Sequence, residues 1–347
     1  MGKATPMRYT IRMIIYYQDI APLSDFGIGI PVSDIRAPKC IEYLSGLPEI
    51  RPHLAALICK EHEESISRTD VTRVHTPNYV KRIFEEERES TLIEAFELLD
   101  EKGNYNRYDP SKAKRPLKEL FDTLLVKTAG TYQCAKSALE SGFCFYFGGG
   151  FHHAHPDFGH GFCLINDIMI TARRLMAEKR VESVWVIDVD AHKGDGSAAI
   201  AHSDPSIRTL SIHMGAGWPL DRLEFGPDGT QHPSFIPSDI DIPVFEGEEH
   251  LYNRALAEGL EKLAAFMKPD LAIVVSGSDP YEKDTLPSSA KLQLTLEQMA
   301  ERDRLVYDFL KERRIPVAYL MAGGYSPESW RVYAALLELA LKDRLKS

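Results

Sequence analysis

Five short, nearly uninterrupted apolar runs mark the chain from residue 143 onward, at residues 143–147, 184–189, 209–212, 271–275 and 317–321. Runs of that length without polar alternation predict parallel strands buried on both faces. Helical periodicity fills the intervals at residues 167–178, 252–267 and 296–312, and Thr295 to Gln298 forms a capping-box signature at the start of the last. The first third, roughly residues 30–140, reads mostly as helix, with amphipathic spacing through 79–96 and 117–139. Strand and helix alternating in this way predict an α/β sheet with helices on both sides. No repeat, low-complexity segment or Pro/Gly/Ser linker divides the chain, so one domain over residues 1–347 is expected.

Composition narrows the function classes. With 347 residues, 44% hydrophobic and 27% charged, the chain has ordinary globular composition. No stretch approaches the 18 or so apolar residues of a membrane span, and the first ten residues lack a secretory signal's apolar core, so a cytoplasmic protein without membrane contact is expected. Cys40, Cys59, Cys134, Cys144 and Cys163 are odd in number, scattered and without a CxxC pair, which points to buried thiols rather than disulfides or a thiolate metal site. The net charge of -10, without a Lys/Arg cluster, argues against direct nucleic-acid binding and favours a cationic substrate. The acidic run of Glu85 to Glu87 with Glu89 reads as a solvated helix face. Homo-oligomerisation is left open.

The polar residues gather where the strands end. In an open parallel sheet, ligands bind beyond the carboxyl ends of the strands, and each apolar run here stops at groups able to do chemistry. They are Gly148-Gly149-Gly150-Phe151-His152-His153, Asp188-Val189-Asp190-Ala191-His192, Ser211 with His213, Ser276-Gly277-Ser278-Asp279, and Gly323-Gly324-Tyr325. The two-residue period of extended chain projects residues 188, 190 and 192 to one side. A carboxylate and an imidazole suit zinc; Asp279, from another strand, is the natural third ligand, leaving a fourth position for water as catalytic zinc requires. Singly, each residue is equally well explained as a helix cap, an ion-pair partner or a core histidine. Together, on separate strand tips, they point to a metal. The glycines before His152 and His153 allow the backbone to present both rings to one pocket, with Asp188 and Asp195 available as carboxylate partners. Tyr325 is placed to donate to an oxyanion.

Four segments, GGGFHHAHPDFGHGFCLIND (148–167), VIDVDAHKGDG (186–196), SGSDPYEKD (276–284) and MAGGYS (321–326), resemble the defining motifs of the zinc-dependent histone deacetylase superfamily, in order and at compatible spacing over residues 70–330. GGGFHHA, IDVDAH and the later RRIP and GGY are most similar to its class IV branch and bacterial members. The superfamily includes acetylpolyamine amidohydrolases and acetoin-utilisation proteins. The resemblance implies a three-layer arginase-deacetylase fold with a mainly parallel sheet of about eight strands. It implies that Asp190, His192 and Asp279 bind one catalytic zinc; that Asp188 and Asp195 back His152 and His153, with His153 as general base and then acid; and that Tyr325 is the transition-state tyrosine. A structural potassium would take the side chains of Asp188 and Ser211 and backbone oxygens of Asp190, His192 and Ile212. Phe162, after Gly161, matches the aromatic wall of an acyl-lysine tunnel; Phe151, Trp218 and Leu286 are further lining candidates. Asp109 resembles a rim aspartate that holds substrate backbone. Two positions depart from common family patterns: Lys193 stands where a second histidine often follows the ligand, and Tyr281 is expected to narrow the pocket. The implied reaction is hydrolysis of an acyl-lysine amide in a protein or peptide. Small acetylated amines such as acetylpolyamines are the alternative substrates, and a non-catalytic binding protein on the same fold is a distant third.

Overall fold

The computed structural model describes residues 14–346 apart from Ser33 and His62. The first ten residues, where the absence of a signal is expected, lie outside the described residues. Strands β1 (Ile15–Tyr16), β2 (Ile58–Cys59), β3 (Phe143–Tyr146), β4 (Val184–Asp188), β5 (Ile207–Met214), β6 (Ile240–Val244), β7 (Leu271–Ser276) and β8 (Val317–Met321) form one sheet. Its order is β2-β1-β3-β8-β7-β4-β5-β6, and every pairing is parallel. All carboxyl ends therefore share one edge. The five strands that carry motifs lie side by side at the centre, as the run of fully buried residues in each requires.

Alternate residues feed two cores. Phe143 and Phe145, Trp185 and Ile187, Ala272 and Val274, and Val317 and Tyr319 pack on one face. Cys144 and Tyr146, Val184 and Val186, Ile273 and Val275, and Ala318 and Leu320 pack on the other. The helices are α1 (Arg36–Gly46), α2 (Arg51–Leu57), α3 (Arg68–Thr72), α4 (Pro77–Phe84), α5 (Arg88–Ala95), α6 (Leu120–Ser141), α7 (Asp167–Ala177), α8 (Asp195–Ala201), α9 (Tyr252–Leu263), α10 (Leu296–Glu312) and α11 (Trp330–Leu345). Helices α1, α2 and α9 to α11 cover the first face, and α3 to α7 cover the second. This is the three-layer arrangement expected of the arginase-deacetylase fold. No helix among the described residues is long and apolar enough to cross a membrane.

The capping box at Thr295 is present in both directions. The amphipathic run through 79–96, in contrast, is two helices. Arg88 donates from Nε and Nη2 to the carbonyls of Ile83 and Phe84, at 3.0 Å each, and so closes the end of α4. The Glu85 to Glu87 run lies at that break, where Glu85 pairs with Arg68 and Glu87 with Arg82. Residues 97–116 are turns and loop with one 3-10 turn at Pro110–Lys112 rather than α-helix: Asp100 Oδ1 accepts the backbone N–H groups of Lys102 and Asn104, an Asx arrangement that competes with helix. Cys40, Cys134, Cys144 and Cys163 are buried thiols, while Cys59 is half-buried.

Candidate metal centre and active site

The loops after β4, β7 and β8 are laced together around three side chains. Asp190, His192 and Asp279 each offer one ligand atom, all within 4.8 Å of one another. His192 Nδ1 lies 3.2 Å from Asp190 Oδ1 and 3.1 Å from Asp279 Oδ2. The free carboxylate lone pairs are directed inward because backbone donors occupy the others: Gly323 N–H donates to Asp190 Oδ2 at 3.0 Å and Ala191 N–H to Asp279 Oδ1 at 3.0 Å. Burial and the neighbouring Asp190 push the Asp279 carboxyl up to about 7. Two buried carboxylates held side by side with an imidazole nitrogen form a donor set that a divalent cation would neutralise. The surroundings are cut to leave that space. A Cβ on Gly277 would sit 2.2 Å from Asp190 Oδ2, and one on Gly323 would sit 2.4 Å from Asp279 Oδ2. Zinc fits these residues.

The histidine pair stands beside this group. Gly149 and Gly150 take φ of 74° and 79°, a turn that suits glycine, and the rings of His152 and His153 end 3.9 Å apart between centroids. His152 Nδ1 lies 2.6 Å from Asp188 Oδ2, and His153 Nδ1 lies 2.7 Å from Asp195 Oδ1. Burial, with His152 alongside, holds His153 well below the ordinary histidine range. Asp195 is held well below the carboxylate range, against the effect of burial, by the histidines around it. Tyr325 is half-buried, its ring 6.4 Å from that of Phe162, and burial raises its hydroxyl pKa.

A cavity of about 330 Å³ runs to this point, lined by His152, His153, Asp190, His192, Tyr325 and the aromatic Phe151 and Phe162 with Gly161. Trp218 meets His153 edge-on at 4.5 Å and backs Gly161, where a Cβ would strike its ring at 2.2 Å. Leu286 is buried nearby in sequence to Ser288 but does not line the cavity. Neither does Tyr281, which is 2% exposed and packs in the apolar core, so the narrowing expected of it is not what its position provides. Asp109 is likewise away from the cavity: it caps a 3-10 turn through Ser111 and pairs with Lys112. His213 lies inside β5 and Lys193 is buried near Asp241. Asp188 and Ser211 are register partners across β4 and β5, and Ser211 Oγ accepts Gly194 N–H at 3.3 Å.

Several residues that hold the site were not singled out from sequence. Arg302 of α10, wholly buried, donates Nη1 to Val189 O at 3.0 Å and to Gly277 O at 2.7 Å, tying together the two loops that carry the ligands. Asp167 accepts the N–H groups of Gly150 and Phe151, at 3.0 and 2.7 Å, and fixes the turn before His152. Asp284 accepts Tyr325 N–H at 2.7 Å. His155, 3.1 Å from Asp195 Oδ2, and Ser234, 2.5 Å from it, share the carboxylate with His153. For Asp167, Asp284 and His155 the signal was their place inside quoted motifs; for Arg302 and Ser234 there was none.

The family profile described as "Histone deacetylase domain" matches residues 31–340. The chain belongs to the histone deacetylase family. Curated relatives agree with that membership. The chain is 28% identical over 272 residues to Histone deacetylase 2 of Arabidopsis thaliana, covering 78% of this chain and 65% of that one. It is 34% identical over 203 residues to an uncharacterized protein of Picosynechococcus sp., covering 58% and 62%. It is 33% identical over 195 residues to acetoin utilization protein AcuC of Staphylococcus aureus, covering 54% and 47%. The chain thus spans about half to two thirds of the length of these relatives.

Proposed function

We propose that the protein is a zinc-dependent amide hydrolase that removes acetyl, or another acyl group, from the side-chain amine of acyl-lysine in a peptide or protein, releasing a carboxylate and a free amine. What carries the proposal is the meeting of Asp190, His192 and Asp279 at a cavity shared with His153 and Tyr325. Zinc bound by those three ligands supplies Lewis acidity toward the amide carbonyl and lowers the pKa of water from about 16 towards about 7. His153, kept neutral by burial and oriented through Nδ1 by Asp195, has Nε2 free to take the proton of the attacking water and return it to the leaving amine. Tyr325 donates its hydroxyl hydrogen to the developing oxyanion. His152, bound to Asp188, packs its ring at a tilt against His153 and fixes its place. Phe151 and Phe162 flank the aliphatic stem of an extended substrate. A potassium ion would be held by Asp188 and Ser211 with backbone oxygens of Asp190, His192 and Ile212, a site supported by the register that pairs Asp188 with Ser211.

The net charge of -10 favours a second substrate reading, small acetylated amines that keep a cationic end. Relative kcat/KM on an acetyl-lysine peptide, on acetylputrescine or acetylspermidine, and on peptides with longer acyl chains decides between them. The protein reading expects the peptide to be preferred; preference for the polyamines would reverse it. Release of a carboxylate from none of these substrates, with zinc bound, would remove the catalytic proposal.

A further inference from the structure

Asp195 carries more imidazole than one general base requires. Besides His153 at 2.7 Å, His160 brings Nε2 to 3.0 Å from Asp195 Oδ2. His153, His160 and Asp195 each place one donor atom within 4.8 Å of the others, on the side of the His153 ring that holds Nδ1. His160 Nε2 is buried against Asp195 Oδ2, an oxygen that Ser234 and His155 also approach. A tetrahedral cation with ligands at about 2.0–2.2 Å holds neighbouring donors roughly 3.3 Å apart, close to the 2.7 and 3.0 Å that separate Asp195 from His153 and His160. The His160 side chain is 12% exposed and its ring sits 5.2 Å from half-buried Trp218, which leaves a short route from solvent.

We propose that His153, His160 and Asp195 form a second, inhibitory site for a borderline divalent cation such as zinc, separate from Asp190, His192 and Asp279. The cation takes the place of the proton on His153 Nδ1, which moves to Nε2, and His160 ligates through Nε2 with its proton on Nδ1, so that both rings bind as neutral imidazoles. With Nδ1 bound to the cation, Nε2 carries the ring's proton and has no lone pair to accept one from water. That inhibitory consequence rests on the catalytic reading of His153; occupancy of the site does not.

The test is equilibrium dialysis of the full chain against increasing Zn²⁺, with bound metal and amide hydrolysis followed together. The wild-type protein is expected to take two equivalents, the weaker one coinciding with loss of activity. His160→Ala and His160→Gln, each checked for folding by thermal melting, are expected to keep the first equivalent. Both should bind the second more than about tenfold more weakly and lose the inhibition relative to their own uninhibited rates. Saturation of the wild type at one equivalent, or an unchanged second equivalent in both variants, would overturn the site, whatever the substrate proves to be.

Discussion

At the scale of single residues, the account divides groups that hold the cation from groups that act on substrate. Tyr325→Phe is expected to retain one equivalent of zinc and to lose about 10² to 10³ in kcat, the typical loss for one oxyanion donor; metal analysis beside steady-state kinetics checks both halves. Gly323→Ala is expected to do the reverse, because its Cβ would sit 2.4 Å from Asp279 Oδ2 and 2.5 Å from Asp190 Oδ2. The protein should fold but bind zinc weakly, and activity should return only at high added metal. The ligand set was legible because period-two spacing and strand tips are local features of sequence. Ser288, which lies 3.2 Å from His192 Nε2, was not, since a serine in a loop gains its role only from a partner many residues away. Tyr281 misleads for the same reason: its neighbours in sequence are motif residues, whereas its neighbours in space are core.

At the scale of elements, what steadies the strand tips comes from the helices. Arg302→Met would strand the carbonyls of Val189 and Gly277 and leave buried Asp303 without its cation. A loss of about 3–5 kcal/mol in stability is expected, with zinc affinity reduced about 10- to 100-fold. Chemical denaturation and a metal competition assay read the two. His75 performs a similar task for the histidine segment: its Nδ1 bonds His155 O at 2.9 Å, and its Nε2 accepts Asn166 N–H at 3.1 Å, which requires the neutral ring. Burial lowers its pKa from 6.5 to about 4. The unfolded chain therefore binds a proton that the folded chain refuses, so stability from this residue is complete above pH 6.5 and is lost as pH falls towards 4. The limit is roughly 3 kcal/mol, and His75→Phe should flatten that part of the stability profile measured by urea titration. Central strands were readable as long apolar runs. The outlying strands were not: β1 and the edge strand β2 have two residues each, and β6, at the other edge, carries Asp241 and Pro243.

At the scale of the whole molecule, parallel strand order does most to create the site. Motifs separated by more than a hundred residues meet because β3, β8, β7, β4 and β5 are neighbours with a common carboxyl edge. That topology followed from alternation of strand and helix together with the family resemblance; the pairing order itself was not contained in any local pattern. The most direct measurement is acetate release from an acetyl-lysine peptide by protein stripped with a chelator and then restored with stoichiometric zinc. Activity is expected to vanish on stripping and to return in proportion to metal up to one equivalent. Undiminished release from metal-free protein would contradict the account.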